Sequence, residues 1–212
     1  MIKKTGQHIP LLASDGEPTL SILPTRTLIL FPGETVSIQV GRPENLALIE
    51  DHTGKNKLIG VTYLPDAADG RKKANLCQVG TAAKIVSTNN GPGGSKIITL
   101  EGIRRIALKT IVKKKPYLTA KINYVDEKVI TTNKTSSLSE NILKIIEQIT
   151  NVAPTYSAEL PYVMKLNVGN PGKFADKIAA TFHFPISSKQ EILQTCRLED
   201  RKSTRLNSSH RL

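Results

Sequence analysis

Near residue 131 the spacing of apolar residues changes from two to between three and four, and this switch restricts the architectures open to the chain. Before it, apolar residues come in short runs and alternations bounded by Gly, Pro and Asn. Residues 20–24 and 27–31 are apolar runs, and Pro32-Gly33 is turn chemistry, because Pro fixes φ and Gly adopts conformations other residues resist. From Thr35 to Val40 the alternation is strict, with Val36, Ile38 and Val40 on one face and Thr35, Ser37 and Gln39 on the other. A β-turn-β unit is therefore expected up to Gly41. Pro43 suits a first helical position and Glu44 the positive end of a helix dipole, which predicts a short helix over 43–52. Strands are expected at 58–64 and 79–87, and on the return from a hairpin loop at 89–94 that continues to 112. A last strand carries Leu118, Ala120, Ile122 and Tyr124 on one side.

After the switch the pattern is helical. Ser137-x-x-Glu140 reads as a capping box opening a helix with Leu138, Ile142, Ile145, Ile146 and Ile149 on one side, ended by Pro154. A short helix is expected over 157–166. Asn170-Pro171 is a cap followed by a first-turn Pro, leading to Phe174, Ile178 and Phe182 in register. Pro185 stops that helix, and Ser188-x-x-Glu191 opens another with Ile192, Leu193 and Cys196. Strands first and helices after give an α+β chain. The expected layout is a mostly antiparallel sheet curled into a β-barrel over 20–130, a polar joint at 131–137 and helices over 137–199, behind a flexible tail at 1–19.

The final stretch is set apart. Asp200 to His210, DRKSTRLNSSH, lacks apolar periodicity and matches, residue for residue, one reading frame of a widely used sequencing adapter. Residues 200–212 are read as non-native, and the natural chain is expected to continue past Glu199.

The net charge of +12 suggests nucleic acid at first sight, but its distribution weakens that reading. Residues 1–134 hold 20 Lys/Arg against 11 Asp/Glu, residues 135–199 hold six of each, and residues 200–212 hold four against one. The basic clusters Arg71-Lys72-Lys73, Arg104-Arg105 and Lys113-Lys114-Lys115 have only Tyr117 nearby to stack on a base. They read as solvated loops that keep strand edges from pairing with strangers. Nucleic-acid binding is the alternative and is not favoured. No apolar run is long enough to cross a bilayer, so no membrane partner is expected. Cys77 and Cys196 lie far apart without partner motifs and read as reduced thiols of a cytoplasmic protein.

No catalytic constellation emerges. Gly169 to Phe174, GNPGKF, lacks the spacing and the hydroxyl of a phosphate-binding loop and is explained by helix capping. GPGGSK, Gly91 to Lys96, joins two strands and opens no helix. The histidines His8, His52, His183 and His210 share no metal-ligand spacing. No cofactor and no metal are expected.

The segments do resemble one family. Leu23-Pro24-Thr25-Arg26-Thr27-Leu28-Ile29-Leu30-Phe31-Pro32, followed by a strand and Gly41-Arg42, is similar to the opening of the N-terminal substrate-binding domain of ATP-dependent Lon proteases. In the family's order follow LIGVTYL at 58–64, Val79-Gly80-Thr81-Ala82-Ala83-Lys84-Ile85, and Leu100-Glu101-Gly102-Ile103-Arg104-Arg105. In the helical half, Phe174-Ala175-Asp176-Lys177-Ile178-Ala179 resembles the family's L-A-D-x-I-A helix, and Lys189-Gln190-Glu191-Ile192-Leu193-Gln194 its K-Q-x-L-L-E. Thr25 and Thr27 depart from the family's usual apolar and acidic residues.

The resemblance implies a PUA-like β-barrel followed by a C-terminal helical bundle. It further implies a non-catalytic module ahead of an ATPase motor and a Ser-Lys protease domain, one that recognises unfolded or degron-bearing proteins and supports a homo-oligomer, the hexamer. A freestanding Lon-domain protein and a basic PUA-like RNA-binding module stay open as alternatives. Candidate substrate-binding residues are Phe31 and Pro32 at the turn, Arg42 and Glu44 at the helix entrance, and Arg26. The structural alternatives are that Phe31 is core and that a carboxylate ties Arg26 to the barrel.

Overall fold

The alternation at Thr35–Val40 does what its period demands: Thr35, Ser37 and Gln39 are exposed, while Val36, Ile38 and Val40 turn to the apolar interior. The computed structural model describes residues 17–65, 75–125 and 132–195. The cluster Arg71-Lys72-Lys73, Cys196, the tail at 200–212 and most of the expected N-terminal tail lie outside these residues.

Six strands form one mixed sheet: β1 (Thr19–Thr25), β2 (Thr35–Val40), β3 (Leu58–Tyr63), β4 (Val79–Asn90), β5 (Lys96–Lys113) and β6 (Leu118–Tyr124). The spatial order is β2-β5-β4-β3-β1-β6, and β6 also pairs with β5. Hydrogen bonding therefore runs in a ring from β5 through β4, β3, β1 and β6 back to β5, with β2 attached outside the ring on β5. All pairs are antiparallel except β1 with β3. The expected return strand and its continuation are one 18-residue strand, β5, long enough to pair β2, β4 and β6 in turn. The helix α1 (Pro43–His52) begins and ends where expected, with Pro43 in its first turn. Leu48 and Ile49 bury its apolar side against Leu23, Leu30, Ile59 and Ile98.

Residues 28–31 depart from expectation: they are apolar yet join no ladder. Side-chain hydroxyls satisfy the carbonyls of Leu28 and Leu30 instead. Thr25 Oγ1 donates to Leu28 O at 2.7 Å, and Thr81 Oγ1 to Leu30 O at 2.5 Å. The segment thus crosses the sheet interior as a buried connection, and β1 and β2 are not partners.

Four further helices follow among the described residues: α2 (Asn133–Val152), α3 (Leu160–Lys165), α4 (Pro171–Thr181) and α5 over 186–195. The helix α2 is capped by Thr132, five residues earlier than the expected cap Ser137. Thr132 accepts from the Thr135 N–H at 3.2 Å while Thr135 Oγ1 accepts from the Thr132 N–H at 2.8 Å, so two threonines complete the capping box within the polar joint. Asn170 caps α4 as expected, its Oδ1 accepting from the Lys173 N–H at 3.1 Å. The helix α5 starts two residues before Ser188, because the Pro185 carbonyl accepts the Lys189 N–H at 3.1 Å.

The helices are fastened to the sheet by apolar and polar means. Ile29, Phe31 and Val79 pack with Ala179 and Leu193. Gln190 Nε2 donates to Val79 O at 3.0 Å. Arg105 of β5 grips Asp176 of α4 through both terminal nitrogens, with Nη1 at 2.8 Å from Oδ2, and its Nε donates to Leu193 O at 3.1 Å. Arg105 is 2% exposed. The expectation that Arg104-Arg105 is a solvated pair is therefore corrected for Arg105: a bidentate carboxylate and a carbonyl make its burial tolerable.

Candidate functional site

Where sheet and helices meet they leave a cleft of about 680 Å³. One wall is the 31–34 turn with residues 101–104 of β5, and the other is Val163 and Leu166 near α3 with Lys173, Lys177 and Ala180 of α4. The sheet-side wall depends on a close backbone approach. The Gly33 N–H donates to Gly102 O at 2.7 Å and the Gly102 N–H to Glu34 O at 2.8 Å. A Cβ at Gly102 would lie 2.2 Å from Phe31 O, so only glycine fits there. Gly33 has φ of 75°, as the turn requires.

Glu34 completes the turn. Its Oε2 accepts from the Phe31 N–H at 3.0 Å. Burial raises the carboxyl above its ordinary value, against the pull of the Phe31 N–H and of the positive Lys189 and Lys177. The cleft thus has the weakly acidic Glu34, the lysines Lys173 and Lys177, Asp176 already paired with Arg105, and the apolar Val163 and Leu166. Leu166 is 72% exposed.

The candidate residues divide between two places. Phe31 is 1% exposed and packs with Val79 and Leu193, so the expectation that it offers apolar surface is corrected in favour of its structural alternative. Pro32, half-buried, lies on the cleft. Arg26 and Arg42 are both exposed and border a second, smaller pocket of about 180 Å³ between residues 23–28 and 38–42. Glu44 is exposed in the first turn of α1 and lines neither pocket. The sequence reading missed Glu34, Leu166 and Lys177 as site residues. The one legible signal was that Glu34 is the only carboxylate between Leu20 and Arg42.

Among the described residues no group of three or more His, Cys, Asp or Glu is placed to hold a metal ion. Tyr117, the aromatic beside Lys113–Lys115, donates its hydroxyl to Asp51 Oδ2 at 2.8 Å and meets the His52 ring edge at 5.9 Å. It is thereby engaged on α1. No helix among the described residues is long and apolar enough to cross a membrane.

Residues 19–206 match the family model described as the ATP-dependent protease La (LON) substrate-binding domain, a span that enters the stretch read as non-native. The Lon protease of Dictyoglomus thermophilum is 29% identical over 182 residues, which is 86% of this chain and 23% of that protein. Lon protease 2 of Myxococcus xanthus is 30% identical over 184 residues, 86% of this chain and 22% of that protein. The chain therefore spans under a quarter of the length of these relatives. Among solved structures, the N-terminal domain of Mycobacterium avium complex Lon protease superposes with a TM-score of 0.64 at 16% identity, covering 92% of this chain and all of that one. A Lon N-terminal domain protein from Xanthomonas campestris gives 0.59 at 17%, covering 84% and 90%. These two likenesses concern the fold; the match over 19–206 carries the assignment, and the chain belongs to the LON substrate-binding domain family.

Proposed function

We propose that this chain is the client-recruiting module of a Lon-type ATP-dependent protease and has no catalytic role of its own. In this reading the ring of strands is a PUA-like barrel, the helices form the bundle behind it, and the whole sits in a cytoplasmic hexamer ahead of motor and protease domains. The clients are unfolded or degron-bearing proteins. The observation that carries the reading is family membership over 19–206. The cleft supports it, because unfolded clients share exposed apolar side chains, and Leu166 and Val163 line an apolar wall for them. Pro32 contributes from the turn, Arg26, Arg42 and Glu44 are rim contacts, and Phe31 is scaffold.

The test is binding of a reduced, alkylated and so permanently unfolded protein, followed by fluorescence anisotropy. Leu166→Asp is expected to weaken binding about tenfold or more, as loss of a buried apolar anchor does, with an unchanged unfolding midpoint. Affinity is expected to vary little with salt. Binding that falls steeply with salt, extends to RNA and ignores Leu166→Asp would replace this reading with a nucleic-acid one.

A further inference from the structure

Every strand of the ring has a neighbour on both sides, whereas β2 pairs with β5 alone among the described residues. Its outer edge carries no other backbone hydrogen bond among them. The phase of that edge is fixed. Gly102 and Glu34 are bonded, so alternation sends the backbone groups of Val36, Ile38 and Val40 toward β5. Those of Thr35, Ser37 and Gln39 point away. Ser37 and Thr99 agree, since their hydroxyls meet at 3.0 Å as side chains of a close, non-bonded pair do.

Edges of this kind are normally guarded by lysine, proline or a bulge. This one has none: Thr35-Val36-Ser37-Ile38-Gln39-Val40 is uncharged, holds no proline, and keeps continuous register from Glu101 to Lys96. It also runs from one site feature to the other. Gly33 and Glu34, just before β2, line the large cleft, while Ile38 to Arg42 line the smaller pocket bordered by Arg26 and Arg42.

We infer that the free edge of β2 captures an extended segment of a client protein as an added strand, through the backbone groups of Thr35, Ser37 and Gln39. The inference rests on the client-recruiting reading and deepens it, by making the polypeptide backbone the recognised feature. Main-chain pairing is indifferent to side-chain identity, which suits a binder of many unfolded chains. Six residues make an edge about 20 Å long. A strand laid along it, about 20 Å long and about 10 Å across, covers on the order of 200 Å², far short of the roughly 800 Å² per partner that a stable dimer buries, so the edge suits a short strand better than a second copy of the chain.

The full chain is titrated with a ten-residue Thr/Val-rich peptide and with the unfolded protein used above. Amide exchange is followed residue by residue. Peptide binding is expected to slow exchange at Thr35, Ser37 and Gln39 by at least tenfold, while Val36, Ile38 and Val40, already bonded to β5, change little. Ser37→Pro removes an outward N–H without touching the ladder to β5 and is expected to weaken binding about tenfold. A copy of the peptide N-methylated throughout keeps its side chains and is expected not to bind, which tests the inference without altering the protein's fold. If the unfolded protein binds but the substitution, the N-methylation and the three amides show no effect, the edge is not the site and client recruitment stands on the cleft alone. If the unaltered chain binds neither probe, both readings fall. A mass that doubles with concentration and is restored to monomer by Ser37→Pro would make the occupant a second copy and overturn the inference.

Discussion

Glu34 is a carboxyl whose surroundings disfavour its charge. Burial holds its native value above 4.5, so between that value and the native one the folded chain binds more protons than the unfolded chain. The contribution of this group to stability is therefore lost as pH rises through that window. Glu34→Gln keeps an acceptor for the Phe31 N–H and removes the charge. Urea unfolding should show the variant and the parent chain alike near pH 4.5 and the variant gaining on it as pH rises to neutrality. At this scale the sequence was only partly legible. Val36, Ile38 and Val40 announce their side by period. Arg105 and Phe31 do not, because each is decided by a partner far away in the chain: Asp176 is 71 residues from Arg105, and no local pattern distinguishes a buried arginine from its exposed neighbour Arg104. Glu34 was visible as an isolated carboxylate, but its role depends on a turn that Gly102 completes from another strand.

Elements were read more surely than their ends. The helix α1 and the strands β3 and β6 stand where periodicity put them, since a half-buried element must repeat its apolar residues. Boundaries moved wherever hydrogen bonding outside the pattern decided them, as with Thr132 ahead of α2 and the Pro185 carbonyl ahead of α5. Residues 28–31 have the composition of a strand, but the carbonyls of Leu28 and Leu30 are taken by Thr25 and Thr81. The contact that seats this segment on β5 is Gly102, and Gly102→Ala tests it. Backbone has to move to relieve a 2.2 Å approach to Phe31 O. A loss of about 2 kcal/mol or more is expected in the urea unfolding free energy. Ala at Gly169, which has open space around it, is expected to be tolerated.

In the whole molecule, sheet and helices behave as one body because a buried ion pair and a shared apolar cluster cross between them. Asp176→Asn leaves Arg105 buried beside an uncharged partner and is expected to cost about 3–5 kcal/mol. Replacing both partners together, Arg105→Met with Asp176→Leu, should recover most of that loss, which equilibrium unfolding of the parent chain and the two variants measures. The ring of strands has a further effect on how the molecule comes into being. Thr19 of the first strand lies opposite Lys121 of the last. A ribosome must therefore deliver about a hundred more residues before β1 meets its second neighbour. Until then the nascent chain carries an open seam along β1. Local helices can form at once, but the sheet waits for its final strand to emerge.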